Sequence, residues 1–460
     1  MTITTRTSRR RFLRDAGMVM TSTALGGSLL RVGAASAASA SEYRALVCVL
    51  LAGGNDSFNM LVPNDDVGYA NYAAVRSDLA LPRSSLLALA GSDAIGQALA
   101  VHPSMPEVRA LHDAGELAFL ANVGTLVGPL DASEFERGVP VPLGLFSHSD
   151  QIAHWQTGVP DARIATGWGG RAADVLGKLN AQSGVSMNVS LSGSNVFQAG
   201  LQTAEYAIET GVEGAPSVAG YGASDPFNGL QTRALDRILS GDYGNSLRAG
   251  YAQKLRGAID AEAFFSTALA SSPSFMTRFS TNRVSAAFAQ IARVIGAREA
   301  LGARRQTFFL VFGGWDHHDE VINNQARMLA VVSKGLAEFS GALKELGVYS
   351  QVTTFTTSDF GRTLTSNGRG SDHGWGGHHM VMGGAVRGGR TYGAYPDLSA
   401  SSPLAIERSI MIPTLSTDAY FAELSRWLGV GDADLPTVLP NVRRFVASGT
   451  PNPIGFLAPS

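Results

Sequence analysis

The sequence predicts an α/β fold built on a covered, mostly parallel sheet. Three observations predict it. Residues 45–52, 306–312 and 352–357 are short apolar or β-branched runs, the pattern of strands buried in a sheet. The first two stop at Gly53-Gly54 and Gly313-Gly314, and the third at Ser358-Asp359. Between the last two, Met328, Leu329, Val332, Leu336, Phe339 and Leu343 recur at helical spacing, which predicts a return helix over about 321–346.

In chain order, residues 1–40 read as an address. Arg9 and Arg10 within Ser8-Arg9-Arg10-Arg11-Phe12-Leu13 have the form of a twin-arginine signal, with cleavage expected after Ala40. The following stretch contains Thr21, Ser22, Thr23, Gly26, Gly27 and Arg31. A spanning helix needs about 20 predominantly apolar residues, so a permanent membrane span is not expected. The expected partner is the twin-arginine translocase, and the expected location is periplasmic or secreted. Residues 41–460 are expected to form one large domain.

After the first strand, Asp56 follows Gly53-Gly54-Asn55, where the paired glycines permit a sharp turn. A helix is expected over 105–114 and a strand over 116–122. Ser147, His148 and His154 then crowd a short segment with Asp150. A further strand is expected at 185–190. Residues 225–303 change character to amphipathic helices, expected at 230–239, 247–269 and 284–301, and are read as a helical insertion or one face of the sandwich. A capped helix is expected at 417–428, before a proline-bearing tail.

The chemistry concentrates between Arg305 and Tyr392. Of nine histidines in the chain, His317, His318, His373, His378 and His379 fall here, with Asp316, Asp359 and Asp372. Imidazoles mixed with carboxylates suit zinc, manganese or iron better than calcium. In doubly wound sheets, ligand sites gather at the carboxyl ends of parallel strands, which is where these side chains fall. The candidate metal ligands are Asp56, Asp316, His318, Asp359, His373 and His378, with zinc or manganese as one or two ions. Phe360 follows Asp359 and cannot bind metal.

Gly313-Gly314-Trp315-Asp316-His317-His318, Ser358-Asp359-Phe360-Gly361-Arg362 and Asp372-His373-Gly374, in this order, resemble the domain of unknown function 1501 family of exported bacterial proteins. That resemblance covers nearly all of the chain after the signal. It implies a three-layer α/β/α sandwich of alkaline-phosphatase and sulfatase type, with a metal site at the strand ends. It also implies Asp56 as an early metal ligand and Ser147 with His148 as a catalytic pair. Ser147 would be the nucleophile, with Arg362 available to stabilise charge on the transferred group and Ser57 as the rival nucleophile. The implied function is metal-dependent hydrolysis of small anionic phosphate or sulfate esters. The alternative is a non-catalytic periplasmic binding or assembly protein.

Composition removes other classes. A net charge of −2 gives no electrostatic case for nucleic acid. The single cysteine, Cys48, excludes a disulfide framework within the chain and multi-cysteine iron–sulfur sites. There is no Gly-x-Ser-x-Gly elbow, P-loop or dinucleotide fingerprint.

Overall fold

The computed structural model describes residues 42–210 and 218–458, so the signal reading at 1–40 lies outside the described residues. Nine strands form the main sheet. They are β1 (Arg44–Ala52), β2 (Leu117–Gly124), β3 (Asn188–Ser190), β4 (Tyr206–Ala207), β5 (Arg305–Gly313), β6 (Val352–Ser358), β7 (Gly377–Met382), β8 (Thr391–Tyr392) and β9 (Leu415–Ser416). Their order is β8-β2-β7-β6-β1-β5-β3-β4, with β9 pairing β2. β1 lies centrally, parallel to β5 and β6. β7 alone runs antiparallel, to both β2 and β6.

Alternation along β1 assigns the two faces. Ala45, Val47, Val49 and Leu51 face one core, and Leu46, Cys48 and Leu50 face the other. The first core is closed by α2 (Pro106–Asp113), α7 (Arg283–Gly296) and α8 (Val321–Glu345), through Val108, Ile291, Leu336 and Phe339. The second is closed by α3 (His148–Thr157), α4 (Trp168–Leu176) and α9 (Thr417–Leu428), through Trp155, Trp168 and Phe421. This is the three-layer α/β/α sandwich. Cys48 sits in the second layer, where burial pushes its thiol up to about 12 and keeps it protonated and unreactive.

Other elements decorate this frame. α1 (Asp66–Arg76) follows the first strand–turn, and a three-stranded antiparallel sheet joins Leu61–Pro63, Leu87–Ser92 and Ala98–Val101. α5 (Pro226–Leu239) and α6 (Ser246–Ala270) follow one another in the expected helical region. The strand expected from residue 185 is shorter, because Ser183 and Ser186 engage the backbone there before pairing begins at Asn188.

The antiparallel sense of β7 is what completes the functional edge. Its amino-terminal end lies beside the carboxyl ends of β2 and β6, so the loop carrying Asp372 and His373 arrives at the same edge as Gly53, Asp316 and Asp359.

Candidate metal centre

Asp316 is the hub of this edge. It follows β5 after Gly314, whose φ of 104° turns the chain away from the sheet. Gly53, at the end of β1 with φ 120°, lies directly beneath: a Cβ there would stand 2.5 Å from the Asp316 nitrogen. Only glycine permits this approach. The same Gly53 N–H donates to both Asp359 oxygens, at 3.0 and 3.1 Å, and thereby ties the ends of β1, β5 and β6 together.

Three imidazoles meet the Asp316 carboxylate. Nε2 of His318 lies 3.0 Å from Oδ1, Nε2 of His373 lies 3.4 Å from Oδ1, and Nε2 of His148 lies 3.4 Å from Oδ2. The two nitrogens of His318 and His373 are themselves 3.1 Å apart. Each ring is held from behind by an acceptor. His148 Nδ1 donates to Asp359 Oδ2 at 2.6 Å, His318 Nδ1 to Asp372 Oδ1 at 2.7 Å, and His373 Nδ1 to the Phe146 carbonyl at 2.7 Å. In the neutral ring these acceptors place the proton on Nδ1 and leave the Nε2 lone pair free to ligate.

Three Nε2 atoms and the two Asp316 oxygens therefore converge, with four of their separations between 3.0 and 3.4 Å. Such atoms repel unless a proton or a metal cation lies among them. Ligands on zinc at about 2.0–2.2 Å in a tetrahedron sit roughly 3.3–3.6 Å apart. The donor set thus fits a divalent metal: His148, Asp316 and His373 form a group that could hold one, and His318 adjoins it.

The surroundings set the charge states. Burial pushes the Asp316 carboxyl up, but the Arg362 hydrogen bond at 2.7 Å and its charge outweigh that and hold it below the usual range. The hydrogen bond to Asp359 raises His148, against the opposing effect of burial. Burial lowers His373. Asp372 is held down at about 2, its burial outweighed by Asn367, Arg408 and His318.

The structure brings together His148, Asp316, His318, Asp359, Arg362 and His373, but not in equal roles. Asp359 stands behind His148. Arg362 is buried beneath Asp316, its guanidinium occupied by Asp316, the Gly53 carbonyl and Ser371. It orients Asp316 and has no face turned to a ligand.

Asp56 and His378 are placed elsewhere, while Ser147 lies between Phe146 and His148, both of which touch the group. Asp56 is fully buried in an ion pair with Arg76 of α1, and Arg76 also donates to the Thr363 carbonyl at 3.1 Å. His378 is the second residue of β7, but its side chain is turned into the core; its Nδ1 accepts from the Asn122 N–H at 3.1 Å, and its ring packs against Phe58 and Tyr395. Burial lowers both His378 and His379 to about 3, so both rings stay neutral. Ser147 is the N-cap of α3, accepting from the Asp150 N–H. The Ser57 hydroxyl is buried and accepts from the His378 N–H at 2.8 Å. Phe360 packs against His148 and His373, with ring centroids 4.9 and 4.6 Å away, and so walls one side of the group.

Sequence reasoning missed the Phe146 carbonyl and Arg408, which engages the far oxygen of Asp372. A backbone carbonyl carries no sequence signal, and Arg408 lies outside the histidine-rich stretch.

A family model described as "Protein of unknown function (DUF1501)" matches residues 43–420. The chain belongs to this family. Comparison of this DUF1501 chain with curated proteins finds no match. Among solved structures, PsFucS1 sulfatase from Pseudoalteromonas sp. overlaps 94% of the chain and 76% of its own length, at 11% identity and TM-score 0.36. The lipoteichoic acid synthase LtaP from Listeria monocytogenes overlaps 70% of the chain and 57% of its own length, at 9% identity and TM-score 0.28. The C-terminal periplasmic domain of EcEptC from Escherichia coli, in complex with Zn, overlaps 75% and 74% at 9% identity and TM-score 0.32. Overlaps this loose carry no argument, and the architecture stands on the sheet and its two helical layers.

Proposed function

We propose that this DUF1501 protein is a metal-dependent hydrolase of small phosphate or sulfate esters, exported by the twin-arginine route. The convergence of three Nε2 lone pairs on Asp316, each ring fixed through Nδ1, carries the metal reading. His148, Asp316, His318 and His373 would hold one ion, which supplies Lewis acidity toward an ester oxygen when bound. Asp359, Asp372 and the Phe146 carbonyl keep the rings in the ligating tautomer, and Arg362 keeps Asp316 ionised. Side-chain exposure of 43% at Asp316 and 45% at His318 leaves the group open to a small solute.

A binding role without turnover has one observation in its favour. Ser147 caps a helix and Ser57 is buried, so neither serine is shown at the centre. In the hydrolytic reading water is then the attacking group. The test is metal analysis of the protein matured in its own host, with hydrolysis of aryl phosphate and aryl sulfate assayed on parent and Asp316→Ala. Bound transition metal and turnover, both lost in the variant, are expected. Metal without turnover on any ester moves the assignment to binding, and absence of metal from the parent sinks both.

A further inference from the structure

The α5–α6 hairpin is the least satisfied surface of the described structure. Phe227, Leu230 and Ile238 on α5, with Leu247 and Tyr251 on α6, are 57 to 82% exposed. No residue of α5 is buried. Between the helices lies an open apolar cavity of about 640 Å³, lined by Leu235, Ile238, Leu239, Leu247 and Leu255. Large contiguous apolar exposure on a folded domain marks an interaction surface.

Charge decides what it meets. On α5, Arg233 and Arg237 border the Phe227–Leu230–Ile238 stripe; on α6, Lys254 and Arg248 lie on either side of the Leu247–Tyr251–Leu255 stripe. Among the described residues none of these four cations has a hydrogen bond or ion pair. The acids that could neutralise them are already engaged: Asp236 and Asp260 both pair with Arg256, at 2.8 and 2.9 Å, and Asp225 caps α5. Among the described residues of the hairpin, Asp242 in the connecting turn and Glu262, which accepts from the Ser266 hydroxyl near the far end of α6, have no cation partner, and neither pairs with the four cations beside the stripes. An apolar stripe bordered by free cations is the chemistry of a helix lying in the interface of an anionic bilayer. A second copy of the chain would instead bring the same uncompensated cations together.

We propose that the α5–α6 hairpin docks the protein peripherally on an anionic lipid surface. The described structure has no helix long and apolar enough to cross a membrane, so this contact lies on the bilayer and does not span it. It is separate from the Asp316 centre and stands whether or not that centre turns over.

Flotation of the full chain with phosphatidylcholine vesicles, with and without phosphatidylglycerol, tests it. Binding is expected only with phosphatidylglycerol, and should weaken between about 0.05 M and about 0.5 M salt as the Debye length shrinks. Arg248→Ser with Lys254→Ser should weaken it by about thirtyfold, each cation near such a surface being worth about fivefold. Leu247→Asn with Tyr251→Asn should abolish it while leaving metal content unchanged, since both side chains are exposed. Parent-like binding by either variant overturns the proposal, as does equal binding to neutral vesicles. So does failure to bind any vesicle, or self-association in its place that the Leu247→Asn, Tyr251→Asn variant dissolves.

Discussion

Asp359→Asn separates the residue that fixes a ligand from the ligand itself. In the parent, Asp359 accepts from His148 Nδ1 at 2.6 Å and from the Gly53 N–H. Trp155 Nε1 holds the Asp359 carbonyl at 3.1 Å, so the backbone stays in place when the side chain changes. An asparagine offers one acceptor where two are needed. With its oxygen on Gly53, its amide faces His148, the imidazole proton shifts to Nε2, and the ligating lone pair is lost. With its oxygen on His148, the amide opposes the Gly53 N–H. Loss of such an outer partner costs about 10–100-fold in metal affinity, or about 1.4–2.7 kcal/mol. Titrating metal-stripped parent and variant with zinc against a chromophoric chelator measures it, with the melting temperature as the control for folding. Affinity within about threefold of the parent would show that Asp359 does not set the His148 tautomer.

Three further outcomes are expected. Ser147→Ala removes the N-cap of α3 and should cost about 1 kcal/mol in denaturant unfolding with metal content intact; complete loss of ester turnover in a folded variant would restore Ser147 as the nucleophile. Arg76→Met leaves Asp56 ionisable and unpaired in the core, and should destabilise by about 3–5 kcal/mol, with Asp56→Asn added to it recovering part of the loss; a single variant as stable as the parent refutes the pairing. Asp418→Asn concerns pH. Burial raises this carboxyl from 3.8 to about 7, and neither oxygen has a hydrogen-bond partner. Its contribution is therefore fully present below about pH 4 and drains away as pH rises through about 7, a swing of about 4 kcal/mol. The variant should be the more stable at pH 8 and should lose that slope, and an unchanged stability–pH profile would contradict it.

The strands of the sheet were legible because burial on both faces leaves no alternation to confuse with a surface strand. β1, β5 and β6 begin and end within a residue or so of the apolar runs, and α9 matches the expected helix at both ends. The antiparallel sense of β7 was not legible, since strand direction depends on what the chain pairs with and not on composition. The site was legible as a neighbourhood. Spacing gathered Asp316, His318, Asp359 and His373, but it could not say that Asp359 stands behind an imidazole from a helix more than 200 positions earlier in the chain. Nor could it say that Asp56 would be claimed by Arg76, which has no motif around it. Distinguishing ligand from supporter requires knowing which way a ring points, and that is decided by tertiary hydrogen bonds.

The central place of β1 has a consequence for synthesis on the ribosome. Leu51 pairs with Phe312 on one side and with Ser358 on the other. Chain growth at roughly 5–20 residues per second leaves about 300 residues, and so roughly 15–60 s, between translation of this strand and of its second neighbour. Until β5 is made a continuous apolar strand has both edges open, and one edge stays open until β6 follows, the condition that templates aggregation. Productive folding then waits for closure of loops hundreds of residues long, which is the slow class of topology. Shielding of residues 44–52 during elongation therefore bears on how much of the chain reaches the native sheet.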